Sequence, residues 1–227
     1  MRRLLILALA ATGLLLAAVP RPEFPQPQFE RTDWLTLNGE WQFAFDDADA
    51  GLDAHWYAPD HPLKSRITVP YCFESKLSGI ADTSFHPWVW YRRDVTLPDA
   101  WKPRRTLLHF GAVDYQSMVW VNGQLAGSHE GGNTPFTFDI TPLLKAGANA
   151  IVVRAWDPPT DKLIPRGMQY WEPQSKSIFY TRTSGIWQPV WLESTGDAYL
   201  DRVRIQPEPL GTVTFDGIMP RAKAGDK

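Results

Sequence analysis

The feature that most restricts this chain is a two-residue apolar alternation that recurs along it with no helical period to compete. Trp41, Phe43 and Phe45 fall on one parity of the segment Glu40 to Phe45, which places all three rings on one face of a pleated strand. From Trp88 to Leu97, Val89, Tyr91, Val95 and Leu97 share one parity, while Trp88, Trp90, Arg92, Asp94 and Thr96 share the other. One face of that strand is predicted to be core and the other mixed. Phe136, Phe138 and Ile140 alternate again, and Ala150 to Trp156 is the near-continuous apolar run of a strand covered on both faces. Arg66 to Pro70, Thr106 to Val113, Ile186 to Glu193 and Leu200 to Gln206 add further strand signals. Ser117 to Ser128 reads as a hairpin with Asn122-Gly123 at its tip, because that pair tolerates the positive φ angles of a tight turn. Beyond the N-terminal segment the best helix candidate, Pro142 to Ala146, amounts to a single turn. Short strands with turn residues between them predict an all-β chain folded as a two-sheet sandwich such as a jelly roll. The 11 Trp and 20 Pro suit that architecture of short strands and rigid loops.

The two ends and the charge balance bound what such a sandwich can do. Met1-Arg2-Arg3 precedes an uncharged, largely apolar run from Leu4 to Val19, the pattern of a secretory signal over residues 1–19. The run is shorter than the roughly 20 residues that span a bilayer, and Pro20 and Pro22 close it, so an exported protein, periplasmic or extracellular, is expected rather than an anchored one. The proline-rich stretch Arg21 to Gln28 reads as an extended tether within a leader over residues 20–30. Cys72 is the sole cysteine, which excludes an intramolecular disulfide and a cysteine-based zinc site. A net charge of -2 with interspersed signs offers no basic stripe for a nucleic-acid backbone. Asp46, Asp47, Asp49 and Asp53 lack the glycine and closing glutamate of a calcium loop, so a solvated acidic loop is expected and no metal or cofactor is assigned. Asp157 to Gly185 carries few strand signals, and a loop of that length inside a compact domain is functional or disordered. Its Tyr170, Trp171, Phe179 and Tyr180 argue against disorder. The sandwich is expected over 31–196, with Leu200 onward opening another unit within 197–227.

The block FGAVDYQSMVWVNGQLAGSHEGGNTPFTFDIT, Phe110 to Thr141, resembles the signature segment of the N-terminal domain of glycoside hydrolase family 2. LNGEWQFAF at Leu37 to Phe45, VPYCFES at Val69 to Ser75, WYRRDVTLP at Trp90 to Pro98 and SGIWQPVWLE at Ser184 to Glu193 stand in the family's order. The resemblance covers nearly all of residues 31–206. It implies the jelly-roll, galactose-binding-domain-like module of β-galactosidase, β-glucuronidase and β-mannosidase enzymes, often termed the sugar-binding domain. It further implies a catalytic barrel as partner, in cis or in trans, an immunoglobulin-like domain between the two, and two barrel glutamates that cleave the glycosidic bond. No residue here is expected to be catalytic. The leading expectation is a scaffold and sugar-site-supporting domain; the alternative is a free-standing secreted carbohydrate-binding module or docking domain.

Two departures from the family bear on the site. His86-Pro87 falls where some exo-acting β-galactosidases carry an Asn-Pro that faces the substrate pocket, and the acidic residue those enzymes place ahead of Arg-x-Ser-Gly-Ile falls near Ser177. His86 is therefore a candidate contact, set against a plain surface or interface histidine. Trp88, Trp90 and Trp171 resist burial by pattern and are candidates for contact with a sugar or partner domain, since aromatic rings stack on pyranose faces. Arg166 and Gln169 could bond sugar hydroxyls, although bracing the loop is the favoured reading.

Overall fold

The computed structural model describes residues 18–26 and 29–223, so the segment carrying most of the expected signal lies outside the described residues. No helix among the described residues is long and apolar enough to cross a membrane. The strands are β1 (Trp34–Thr36), β2 (Gly39–Phe45), β3 (Ser65–Val69), β4 (Trp88–Thr96), β5 (Arg105–Phe110), β6 (Val113–Asp114) and β7 (Gln116–Val121). They continue with β8 (Gln124–Glu130), β9 (Phe136–Asp139), β10 (Ala148–Trp156), β11 (Gly185–Ile186), β12 (Val190–Thr195), β13 (Arg202–Pro207) and β14 (Val213–Ile218). Pro142 sits in a short 3₁₀ turn, Thr141–Leu143.

Two antiparallel sheets make the sandwich, one ordered β1-β12-β5-β9 and the other β3-β2-β4-β10-β7-β8. Between them Trp41, Phe43, Tyr91, Val119, Val121, Ile151 and Val153 from the larger sheet meet Leu108, Phe110, Val190 and Leu192 from the smaller. This is the all-β sandwich that the alternations predict. The β7–β8 hairpin turns at Asn122 and Gly123, with φ of 52° and 81°. The Asn122 side chain also ties the turn to neighbouring chain, donating to the Leu143 carbonyl at 2.9 Å and to Asn149 Oδ1 at 2.8 Å.

Trp90 corrects an expectation. It is fully buried, so it cannot serve as a contact residue of this chain. The larger sheet has a second apolar layer on its outer face, where Trp90, Trp120, Val152 and Leu63 are roofed by Leu52, Trp56 and Tyr57. Trp90 lies parallel to Trp120 at 5.5 Å and edge-on to Trp56 at 5.8 Å. The roof comes from a segment more than thirty residues upstream, and no local pattern in the strand reveals it.

The acidic loop is likewise not solvated at its root. Asp46 is buried and accepts from the Ala50 and Gly51 amides at 2.8 and 2.9 Å and from the Trp90 indole at 2.9 Å. Asp49 pairs with Arg154. Gly51 is required by space, since a Cβ there would lie 2.6 Å from the Trp90 indole nitrogen. Asp46→Ala should lower unfolding free energy by about 2 kcal/mol, because it leaves buried donors without a partner. Urea denaturation checks this; a shift within error of zero would mean that solvent already serves those donors.

Part of the leader is held against the sandwich rather than hanging free. The Asn38 amide donates to the Pro20 and Arg21 carbonyls at 3.2 and 3.1 Å, and Phe24 packs edge-on to Trp34 at 4.9 Å. Strand β1 was too short to register as an alternation.

Candidate functional site

One end of the sandwich gathers the start of β4, the end of β10 and the small β6–β11 sheet. Trp88 pairs with Trp156 across β4 and β10, and Gly185 pairs with Asp114. Both ends of the loop 157–185 are thereby pinned to the same edge. The Asp157 amide bonds the Pro87 carbonyl at 2.9 Å, which brings the His86-Pro87-Trp88 segment beside the base of the loop.

Beneath the loop lies a polar network that holds it from inside. Gln169 donates to Asp114 Oδ2 at 2.7 Å and accepts from the Thr183 amide at 2.7 Å. The Ser184 hydroxyl donates to Asp157 Oδ2 at 2.6 Å, and the Ser184 amide to Glu74 Oε2 at 3.3 Å. Arg166 donates to the carbonyls of Pro158, Pro159 and Asp161, and Arg182 to those of Tyr170, Glu172 and Thr83. Asp114, Asp157, Glu74, Arg166, Gln169 and Arg182 are all buried. Arg166 and Gln169 are thus braces in this structure, the reading the sequence favoured.

Burial pushes the Asp114 carboxyl up to about 7, reinforced by the neighbouring Asp157 charge. Burial also pushes Glu74 up to about 7, against the hydrogen bonds that favour its ionised form. The folded chain therefore keeps protons that the unfolded chain, with ordinary carboxyls near 4, has released. Unfolding between these values takes place with proton loss, so stability falls as pH rises from about 4 to 7 and levels off above. The melting temperature is expected to be several degrees lower at pH 8 than at pH 5, measured by differential scanning calorimetry with matched ionic strength. A rise over that interval would contradict the protonated network.

These carboxylates are too enclosed for a substrate to reach, so they organise a surface instead of reacting. That surface is apolar for a loop. Leu163 is 94% exposed, Ile178 67% and Tyr180 51%, with Met168 also exposed. Tyr170, Trp171 and Phe179 form an aromatic cluster, with Tyr170 and Phe179 stacked at 5.2 Å and Lys162 Nζ 4.4 Å from the Trp171 ring centre. Trp88 is half-buried, stacked on Trp156 at 5.4 Å with the Arg154 guanidinium 3.6 Å from its centre. His86 stacks on Phe45 at 3.7 Å, and its ring nitrogens face Asp47 at 2.8 Å and Asp82 at 3.4 Å.

Sequence reasoning missed Glu74, Asp114, Asp157 and Arg182, the core of the brace. A signal did exist for Asp157, which directly follows the strongly apolar strand Ala150 to Trp156.

Two antiparallel sheets with a long braced loop that presents aromatic and aliphatic side chains at one end define the class of all-β sandwich domains. The pattern described as "Glycosyl hydrolases family 2, sugar binding domain" matches residues 35–195, and the chain belongs to that family. It is 30% identical over 204 residues to β-glucuronidase of Felis catus, covering 79% of this chain and 31% of that protein. It is 29% identical over 174 residues to β-galactosidase of Thermoanaerobacter pseudethanolicus, covering 75% of this chain and 22% of that protein. The β-glucuronidase structure from Ruminococcus gnavus shares the fold with a TM-score of 0.66 at 22% identity, covering 87% of this chain and 35% of that one. The chain thus spans about a third or less of the length of these relatives.

Proposed function

We propose that the chain acts as a non-catalytic sugar-binding and scaffold domain of a family 2 glycosidase, with the 157–185 loop as the face that meets a catalytic barrel. The observation that carries this reading is the contrast within the loop. Its inner side is fixed by buried Arg166, Gln169 and Arg182, while its outer side leaves Leu163, Ile178 and Tyr180 in water. Apolar groups held in place at such cost in buried polar chemistry suit an interface. On this reading His86, Trp88 and Trp171 flank the joint, the β13–β14 segment opens an immunoglobulin-like domain, and residues 1–19 direct export to the periplasm or beyond.

Co-expression with the barrel of a family 2 enzyme lacking its own sandwich tests the proposal. The two parts should co-purify, and Ile178→Asp with Tyr180→Asp should abolish the association while leaving the melting temperature unchanged. Failure of the unaltered chain to associate would reject the docking role.

The partly exposed Trp88 and Trp171 favour one other reading, a free-standing exported carbohydrate-binding module. Calorimetry against glucuronides, galactosides and mannosides separates the two. Absence of any heat of binding at millimolar sugar would end the second reading.

A further inference from the structure

The β13–β14 hairpin poses a mechanical question. Its strands pair with each other and with no strand of the sandwich. The register Val203↔Gly217, Ile205↔Phe215 and Pro207↔Val213 gathers most of the apolar residues on one face, while Arg202, Arg204, Gln206, Thr214 and Asp216 lie on the other with Ile218. An isolated two-stranded hairpin is marginal in water, so its placement needs an anchor. Between its apolar face and the outer face of the β1-β12-β5-β9 sheet lies a cleft of about 1170 Å³. The two bodies therefore stand apart over much of their common boundary.

The anchor lies at one end of that cleft. Glu193, on β12, is buried to 1% exposure. One of its oxygens accepts from the Trp191 indole at 3.0 Å, and the other accepts from Arg31 Nη1 and faces His109 Nε2 at 3.4 Å. Arg31 Nη2 donates to the Leu200 carbonyl at 2.5 Å, just ahead of β13. The guanidinium is flanked by the Phe29 ring at 4.7 Å and the Tyr199 ring at 5.8 Å. One planar fork thus joins a buried acid of the sandwich to the backbone that leads into the hairpin, a geometry lysine cannot reproduce. A second link, Arg105 Nε to Asp197 at 3.3 Å, involves a carboxylate that is 90% exposed and contributes little.

We infer that Arg31 is a latch, with Glu193 as its buried catch, and that this residue, just after the leader, fixes the hairpin to the sandwich. Trimming of the N-terminal segment through Arg31 would therefore release the hairpin while leaving the two main sheets closed.

Hydrogen–deuterium exchange on the full chain tests this in Arg31→Met/Glu193→Gln, a double variant that removes the pair without leaving a lone buried charge. Exchange in 199–218 should rise about tenfold while β4, β5, β10 and β12 stay within a factor of about two of the parent. Tyr199→Ala, which keeps both charges, should give the same pattern at smaller size. Unchanged exchange in the hairpin of the double variant would overturn the latch. So would an equal rise in hairpin and sandwich, which would show that the pair holds the sheets and not the hairpin.

Discussion

Replacing Gly185 by alanine should cost about 4 kcal/mol and leave the chain largely unfolded near body temperature, a loss far above the typical cost of a point substitution. Gly185 has a φ of +76°, where an L side chain is strained, and an added Cβ would stand 2.1 Å from the Tyr91 hydroxyl oxygen. Tyr91 is fully buried in the core and cannot retreat. Its hydroxyl also accepts from the Ile186 amide at 3.3 Å, so moving the ring would break the contact that seats β11. Overpacking and backbone strain therefore add at one position. Thermal and urea unfolding of Gly185→Ala measure the loss. A change below about 1 kcal/mol would mean that β11 can shift without disturbing the core, contrary to the packing described.

Arg182→Met should cost about 3 to 5 kcal/mol, because it removes the guanidinium that three carbonyls and two buried acids share. Arg182 lies within the electrostatic reach of Glu74 and Asp157 and caps the Phe85 ring at 4.4 Å. Methionine retains much of the aliphatic stem, so the loss reports the charge and hydrogen bonds more than volume. The damage should be localised first in the loop. Limited proteolysis is expected to cut within 157–185 at lower protease than in the parent, before the two main sheets open. Cleavage that begins in β4 or β10 instead would show that the loop is not a separate cooperative unit. Glu74→Gln in the same background should restore part of the stability, since a neutral partner no longer needs the lost cation.

The pleated alternation made the sandwich legible because each strand encodes its own inward face. Trp41, Phe43 and Tyr91 are core by parity, and Val153 by the apolar run in which it stands. The outer layer was not legible, because Trp90 acquires its roof from Trp56, a residue that no periodicity in either segment connects to it. The same limit applied to the site. The loop announced itself by length and aromatic content, whereas the brace under it depends on Glu74, Asp114 and Asp157 converging from three separate parts of the chain. Arg166 and Gln169 were visible as polar residues in an aromatic setting, and only the fold shows that they point inward. His86 was found through family resemblance and Trp88 through a strand parity that does not bury it, and the fold adds that both belong to the end where the loop is rooted.

On the proposed function, glycosidic chemistry lies outside this chain, which supplies a supporting surface in its place. Release of nitrophenol from aryl β-glucuronides and β-galactosides by the purified, folded chain tests that most directly. Release at the buffer rate is expected at every protein concentration. Release that scales with protein concentration, survives repeated purification and disappears on heat denaturation would contradict it.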